Sequence, residues 1–235
     1  MAIDPSGEFA PILPGRGASD YERYLRTDEL LALQKPPEER AHRDELLFQT
    51  VHQSSELWLQ LAAAEVDEAA AKVRAGEVGA ALRLLRRSAL ALRLITAQLD
   101  MLEELSPWEY TRHIRPVLGH GSGFDSPGFR EARRVSPALG QAFHELRRQR
   151  GLSLVQVYRQ GGELADLAEA LVEWDERLSG WRFRHFQVIA RIIGDEVVGT
   201  QGTPVELLGG LIKNRLYPEL WQVRNELTEL AKRES

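Results

Sequence analysis

The sequence contains no cysteine and only two methionines in 235 residues. The first absence excludes disulfides, thiolate nucleophiles, zinc–thiolate sites, iron–sulfur clusters and covalent cofactor attachment through C-x-x-C-H. Any metal would be held by His, Asp, Glu, Tyr or Met. No run of 18 apolar residues occurs, so no membrane span is expected. The N-terminus lacks the basic-then-apolar pattern of a secretory signal, and a cytoplasmic location is expected. An excess of positive charge is missing too: 30 Lys and Arg stand against 35 Asp and Glu, a net charge of −5, with acids interspersed among the arginines. A nucleic-acid-binding surface is therefore not indicated. There is no H-x-x-x-H or H-E-x-x-H pair, no G-x-S-x-G elbow, no Walker loop and no G-x-G-x-x-G, which leaves zinc-hydrolase, serine-hydrolase and nucleotide readings unsupported.

What is present reads as helix. With 43% hydrophobic and 28% charged residues, the composition is that of a globular chain able to bury a substantial core. Residues 1–17, rich in Pro, Gly and Ala, read as a flexible arm, part of which could be vector-derived; residues 18–235 read as a single helical domain. A short amphipathic helix is expected from Tyr21 to Leu33, closed by Pro36-Pro37, with another beginning near Pro37. A long helix follows from about His42 to Ala75, free of internal Pro and Gly, as its length requires. The next, about Ala80 to Leu105, carries a 3.6-period stripe of Leu82, Leu85, Ala89, Leu92, Ile95 (or Thr96), Leu99 and Leu102. The glycine turn between them predicts an antiparallel pair. Further helices are expected at Pro107–Pro116, Ala138–Arg150, Leu164–Leu178, Trp181–Gly194, Val205–Leu216 and Pro218–Ala231. Two glycine loops, Gly119–Gly128 and Gly199–Pro204, interrupt them. No strand pattern and no internal repeat is evident, so the fold class is all-α.

Chemistry concentrates on histidine. Trp181, His185, Val188, Ile189 and Ile192 fall at i, i+4, i+7, i+8 and i+11, one face of a helix, so a single imidazole projects from an apolar stripe. Taken alone it is either a core histidine bonded to a carbonyl or a ligand for something buried. Phe48, His52, Ser55 and Leu59 share a face by the same spacing, which suits either a pocket wall or a satisfied polar cluster in a core. The glycine loops are places where anions meet backbone N–H groups, or simply turns. Arg112, Arg115 and Arg130 flank the first loop; a buried arginine there would hold a carboxylate in a bidentate pair, whereas surface arginines are commoner.

Several segments together resemble one family. His52-Gln53-Ser54-Ser55-Glu56-Leu57-Trp58, Ser122-Gly123-Phe124-Asp125-Ser126 and Trp181-Arg182-Phe183-Arg184-His185 are similar, in order, to motifs of the tryptophan 2,3-dioxygenases. So are Tyr21-Glu22-Arg23-Tyr24-Leu25 and Leu216-Tyr217-Pro218-Glu219-Leu220, so the resemblance spans about residues 20–225. It implies a helical bundle of long antiparallel helices enclosing a haem b, with O₂ as co-substrate and cleavage of the indole C2–C3 bond of tryptophan or a derivative to an N-formylkynurenine. It also implies a homo-oligomer, a dimer or typically a homotetramer. Carried over residue by residue, His185 matches the proximal iron ligand and His52 the distal histidine that meets the indole N–H. Phe48 matches a substrate-packing aromatic, Arg115 the carboxylate-binding arginine and Thr200 a threonine near the substrate ammonium. Tyr21 and Tyr24 match tyrosines that reach a neighbouring subunit's pocket. Ser122 and Gly123 match the loop beside haem and O₂, and Trp181 belongs to the cofactor-binding motif.

The chain departs from the family pattern where the amino acid would be gripped. Counted back from Ser122 the arginine is Arg115; counted forward from Pro107-Trp108-Glu109-Tyr110 the register lands on Ile114, so Arg112 competes for the role. The second glycine loop is shorter than usual, and Phe124 is followed by Asp125 where the family has glutamine. Only 54 residues separate Arg130 from His185, an interval longer in the tryptophan-cleaving enzymes. The same scaffold in relatives inserts one oxygen atom into tryptophan- or tyrosine-type rings, and this is the alternative reading; a haem-binding or structural protein without activity is a third.

Overall fold

In a computed structural model, residues 10–202, 204–205, 209–210 and 212–234 are described. Among them the regular elements are helices, and the β-type pairing is an isolated bridge between Val198 and Pro204. No helix of the described residues is long and apolar enough to cross a membrane.

The frame is built from four long helices: α3 (Glu45–Arg74), α4 (Val78–Glu103), α7 (Pro127–Gln149) and α9 (Glu163–Ile193). α3 buries a stripe of small residues, Ala62, Ala63, Ala69 and Ala70, together with Leu59, Val66 and Val73. Small side chains let neighbouring backbones come close, and α3 packs against both α4 and α7. The α3/α4 pair is antiparallel, pinned by Ser54 Oγ donating to Gln98 at 2.6 Å and by Arg87 with Glu65 at 3.1 Å. α4 turns its other side to α9. There Arg184 bonds Glu103 at 2.8 Å and Asp100 at 2.6 Å.

The shorter elements are α1 (Asp20–Leu25), α2 (Thr27–Leu31), α5 (Pro107–Glu109), α6 (Arg115–Val117), α8 (Leu154–Gln160) and α10 (Pro218–Glu234). Residues 1–9 of the expected arm lie outside the described residues; the remainder is tied to α1, where Asp20 accepts the N–H groups of Ile12 and Leu13 and Arg23 donates to the carbonyls of Leu13 and Gly17. The single helix expected over Tyr21–Leu33 is split at Arg26, a left-handed residue at φ 53°. The helix expected from Pro37 is one 3-10 turn, Pro37–Glu39.

Four boundaries differ from the sequence reading for identifiable reasons. Pro116 does not break the helix after Pro107: a π turn over Tyr110–Ile114 precedes it, and α6 carries the proline in its first turn, where a missing N–H costs nothing. α7 begins at Pro127, eleven residues before the expected Ala138. Its N-cap Ser126 accepts the N–H of Phe129, Pro127 sits at the first helical position, and Pro137 lies on the solvent face, where water can meet the carbonyl it frees. α8 was not anticipated; a capping box of Ser153 and Gln156 starts it. The helices expected at Leu164–Leu178 and Trp181–Gly194 are one, running through Ser179 and Gly180, with the Ser179 hydroxyl donating to Ile212 O at 2.7 Å. The helix expected over Val205–Leu216 falls partly outside the described residues; among those described, only Gly209 and Gly210 are helical.

A buried polar network fastens α10 to α9. One oxygen of fully buried Asp175 accepts the N–H groups of Leu216 (3.0 Å) and Tyr217 (3.4 Å) and the indole N–H of Trp221 (2.9 Å). Tyr217 donates on to Ser136 O at 3.0 Å, and Trp174 to the Ser136 hydroxyl at 2.9 Å. Such bonds hold position because leaving a buried polar group unpaired is costly.

Two outcomes are expected. A Cβ on Gly128 would stand 2.6 Å from Leu59 Cβ and 2.7 Å from Glu56 Oε2, so Gly128→Ala should lower unfolding free energy by about 1–3 kcal/mol in denaturant titration. The bond from Arg184 holds the Glu103 carboxyl below its ordinary range. A depressed carboxylate stabilises above its ordinary pKa and loses that contribution as pH falls through the depressed value. The thermal midpoint of Glu103→Gln should therefore lie below wild type at neutral pH and converge with it under acid conditions.

Candidate functional site: a cavity faced by two neutral imidazoles

The α9 stripe read from the sequence opens onto a cavity of about 430 Å³, with Trp181, His185, Val188, Ile189 and Ile192 all in its wall. α3 supplies Phe48, His52 and Glu56; the α5–α6 segment supplies Tyr110 and Arg115; α7 supplies Phe129 and Arg133. The two glycine loops, with Gly121, Ser122, Gly123, Gly199, Thr200 and Gln201, form another wall, and α4 adds Leu102.

His185 lies against Trp181, ring centroids 4.6 Å apart and planes within 14°. Burial pushes its imidazole down to about 4, helped by the like charge His52 would carry, so the ring is neutral at neutral pH. A Cβ built on Gly123 would stand 3.6 Å from its Cε1 and 3.9 Å from its Nε2. Gly123 thus lies beside the ring and puts no side chain of its own against it.

His52 is an exposed residue of α3 that lines the cavity. Burial lowers its pKa, against the opposing effect of a bond to Phe48 O at 2.7 Å. A carbonyl can only accept, so Nδ1 carries the proton. In the neutral ring Nε2 is then a free acceptor. Phe48 lies 4.1 Å from the imidazole and 6.0 Å from Tyr110, between centroids. Ser55, expected on this face, turns its hydroxyl back to Val51 O at 2.7 Å, and Leu59 goes to the core. Glu56 takes the place in the wall expected for Ser55. Its two oxygens accept Ser126 Oγ at 2.5 Å and Gly128 N–H at 2.8 Å, clamping the start of α7.

The two loops are joined to each other. Thr200 Oγ1 donates to Gly121 O at 2.6 Å, Gln201 Nε2 to Asp125 Oδ2 at 2.7 Å, and Arg115 Nη2 to Val198 O at 2.5 Å. Asp125 also caps the first loop by accepting the Ser122 N–H at 3.1 Å. Of the competing arginines, Arg115 lines the cavity; Arg112 stands outside it, 5.7 Å over the Trp108 ring, and Arg130 is exposed. Tyr21 and Tyr24 are 69% and 78% exposed on α1 and do not line this chain's own cavity.

Sequence reading passed over Tyr110, Phe129, Arg133, Arg182, Asp125 and Gln201. Arg182 and Asp125 stood inside quoted motifs, and Phe129 and Arg133 are spaced i, i+4; Tyr110 and Gln201 gave no separate signal.

Fold and cavity together define an all-α protein whose internal pocket presents two neutral histidines from facing helices. The profile of "Tryptophan 2,3-dioxygenase" matches residues 12–146. The chain is similar to "Tryptophan 2,3-dioxygenase" of Herpetosiphon aurantiacus, at 32% identity over 260 aligned positions, covering 89% of this chain and 99% of the relative. Against that of Anaeromyxobacter dehalogenans the identity is 30%, over 95% of this chain and 99% of the relative. Against that of Xanthomonas campestris pv. campestris it is 32%, over 90% and 88%. The chain belongs to the tryptophan 2,3-dioxygenase family. The 260 aligned positions exceed the 235 residues present, so the Herpetosiphon relative carries segments this chain lacks.

If the side-chain bonds hold the loops together, Thr200→Val with Gln201→Ala should raise amide exchange across residues 121–125 about thirtyfold, at about 1 kcal/mol for each of the two lost bonds. Unchanged exchange would mean the backbone alone fixes the loops.

Proposed function

We infer that the chain is a haem-dependent dioxygenase that cleaves the indole ring of L-tryptophan or a close derivative, using O₂. The observation that carries this reading is the pair of neutral imidazoles on one cavity: His185, with Gly123 against its ring, and His52, whose Nδ1 proton leaves Nε2 as the acceptor.

The residues fit a haem. A buried neutral imidazole is a competent iron ligand, and Gly123 puts no side chain of its own against His185. The buried Trp181 Nε1 has no partner among the described residues, as befits a wall group awaiting an acceptor. When bound, the haem supplies the ferrous centre at which O₂ reacts.

The protein's share is positioning. His52 Nε2 accepts the indole N–H, because Nδ1 is already committed to Phe48 O. Indole is far too weak an acid to lose its proton to imidazole at neutral pH, so His52 orients the ring rather than acting as a general base. Phe48 and Tyr110 give the ring an aromatic wall, and Ile189 and Ile192 an aliphatic one. Arg115 pairs with the substrate carboxylate, exchanging its bond to Val198 O for a charge-assisted one. Thr200 stands near the ammonium, and Ser122 with Gly123 borders the haem and O₂. Held this way, the C2–C3 bond meets O₂ in a fixed orientation, and both oxygen atoms enter the product, an N-formylkynurenine. The reading includes a homo-oligomer, in which the exposed Tyr21 and Tyr24 serve a neighbouring copy's pocket.

The test is anaerobic reconstitution with haem, then O₂ and a panel of tryptophan and tyrosine derivatives, with products read by mass. Gain of two oxygen atoms is expected; gain of one would overturn the dioxygenase reading. His185→Ala should lose the normal haem spectrum. His52→Ala should retain haem and lose about tenfold or more in turnover or substrate affinity, as the loss of one oriented hydrogen bond in a dry site predicts.

A further inference from the structure

Three guanidinium groups and one carboxylate stand among the described cavity-lining residues: Arg115, Arg133, Arg182 and Glu56. Glu56 is consumed structurally, its oxygens taken by Ser126 and Gly128. Arg115 belongs to the loop wall, bonded to Val198. That leaves two cations on the seam between α7 and α9 with no catalytic part in the reading above.

Their placement follows from helix geometry. Phe129 and Arg133 are i, i+4 on α7 and lie on one face. Phe129 packs on Trp181 of α9, centroids 4.1 Å apart, and Arg182 is the next residue. Arg182 is fixed by Nη1 donating to Asn214 O at 3.1 Å. Burial disfavours its charge, Asp175 opposes that effect, and the neighbouring cations Arg133 and Arg215 add to it. Beside them the buried indole N–H of Trp181 lacks a partner. Two cations held near each other, next to an unpaired donor, are relieved by an anion in the cavity.

We propose that Arg133 and Arg182, with the Trp181 indole N–H, form a dicarboxylate subsite on the α7/α9 seam that takes the two propionates of the haem. The inference rests on the haem reading above. The subsite separates the two anions, propionates at the helix seam and substrate carboxylate at the loop wall with Arg115.

The test removes iron, so that ligation by His185 plays no part. The full chain, free of haem, is titrated with metal-free protoporphyrin IX and with its dimethyl ester, and binding is read by porphyrin fluorescence. Wild type should bind the diacid about tenfold or more tighter than the ester, the range expected of charge-assisted bonds. Arg133→Gln, at an exposed position on α7, should remove most of that preference while leaving ester affinity unchanged. Arg182→Gln should do the same, with circular dichroism checking that the more buried position still folds. Equal affinity of wild type for diacid and ester would overturn the subsite while leaving the haem reading standing. So would full preference retained in a folded Arg133→Gln. If wild type binds neither porphyrin, the subsite is overturned, and the haem reading stands or falls on reconstitution with haem itself.

Discussion

The unbroken hydrogen-bond ladder of α9 is the constraint on which the pocket depends. Its first half buries Leu164, Leu167, Leu171 and Trp174 in the main core, and its second half presents Trp181, His185 and Ile192 to the cavity. Because the ladder continues through Ser179 and Gly180, the rotation and height of His185 are set by core packing several turns away. Asp175 sits at the junction and fastens the chain before α10 to the same rod. Arg184 fixes the rod against α4. The rod that carries the imidazole is thus fixed by contacts away from the cavity, while Trp181 stacks on the ring from within the cavity wall.

Electrostatics then follow from exclusion of water. Neither His185 nor His52 has a carboxylate bonded to it among the described contacts, and burial is the leading influence on both. Neutral rings are what the proposed iron ligation and hydrogen-bond acceptance would require, and one physical cause leaves both rings neutral. Direction comes from a local device: a carbonyl one turn back, that of Phe48, fixes the tautomer of His52.

Much of this was legible in the chain. Periodicity placed the long helices and put His185 with Val188, Ile189 and Ile192 on one face, because a 3.6-residue repeat is a direct record of burial. Periodicity could not distinguish Ser55 from Glu56, neighbours whose fates depend on where α7 begins. The start of α7 was obscured by Pro137, which reads as a breaker unless one knows that its face is solvated. Ser179-Gly180 read as a gap for a similar reason: weak helix formers are overridden when both flanks are packed. The glycine loops were recognisable as loops, but their mutual bonds were not, since Thr200 and Gly121 are 79 residues apart. Arg133 carried only its i, i+4 spacing from Phe129; its meaning arises where α7 meets α9.

The loop wall has a different standing from the helices. It is joined largely through side chains, Thr200, Gln201, Asp125 and Arg115, reaching to one another's backbone or side-chain oxygens, whereas the histidines rest on packed helices. A change of residue in that wall would redraw the outline of what the cavity admits without disturbing the rod behind His185. The placement of His185 and the outline of the loop wall thus rest on different kinds of contact, helix packing for the one and side-chain bonds between loops for the other.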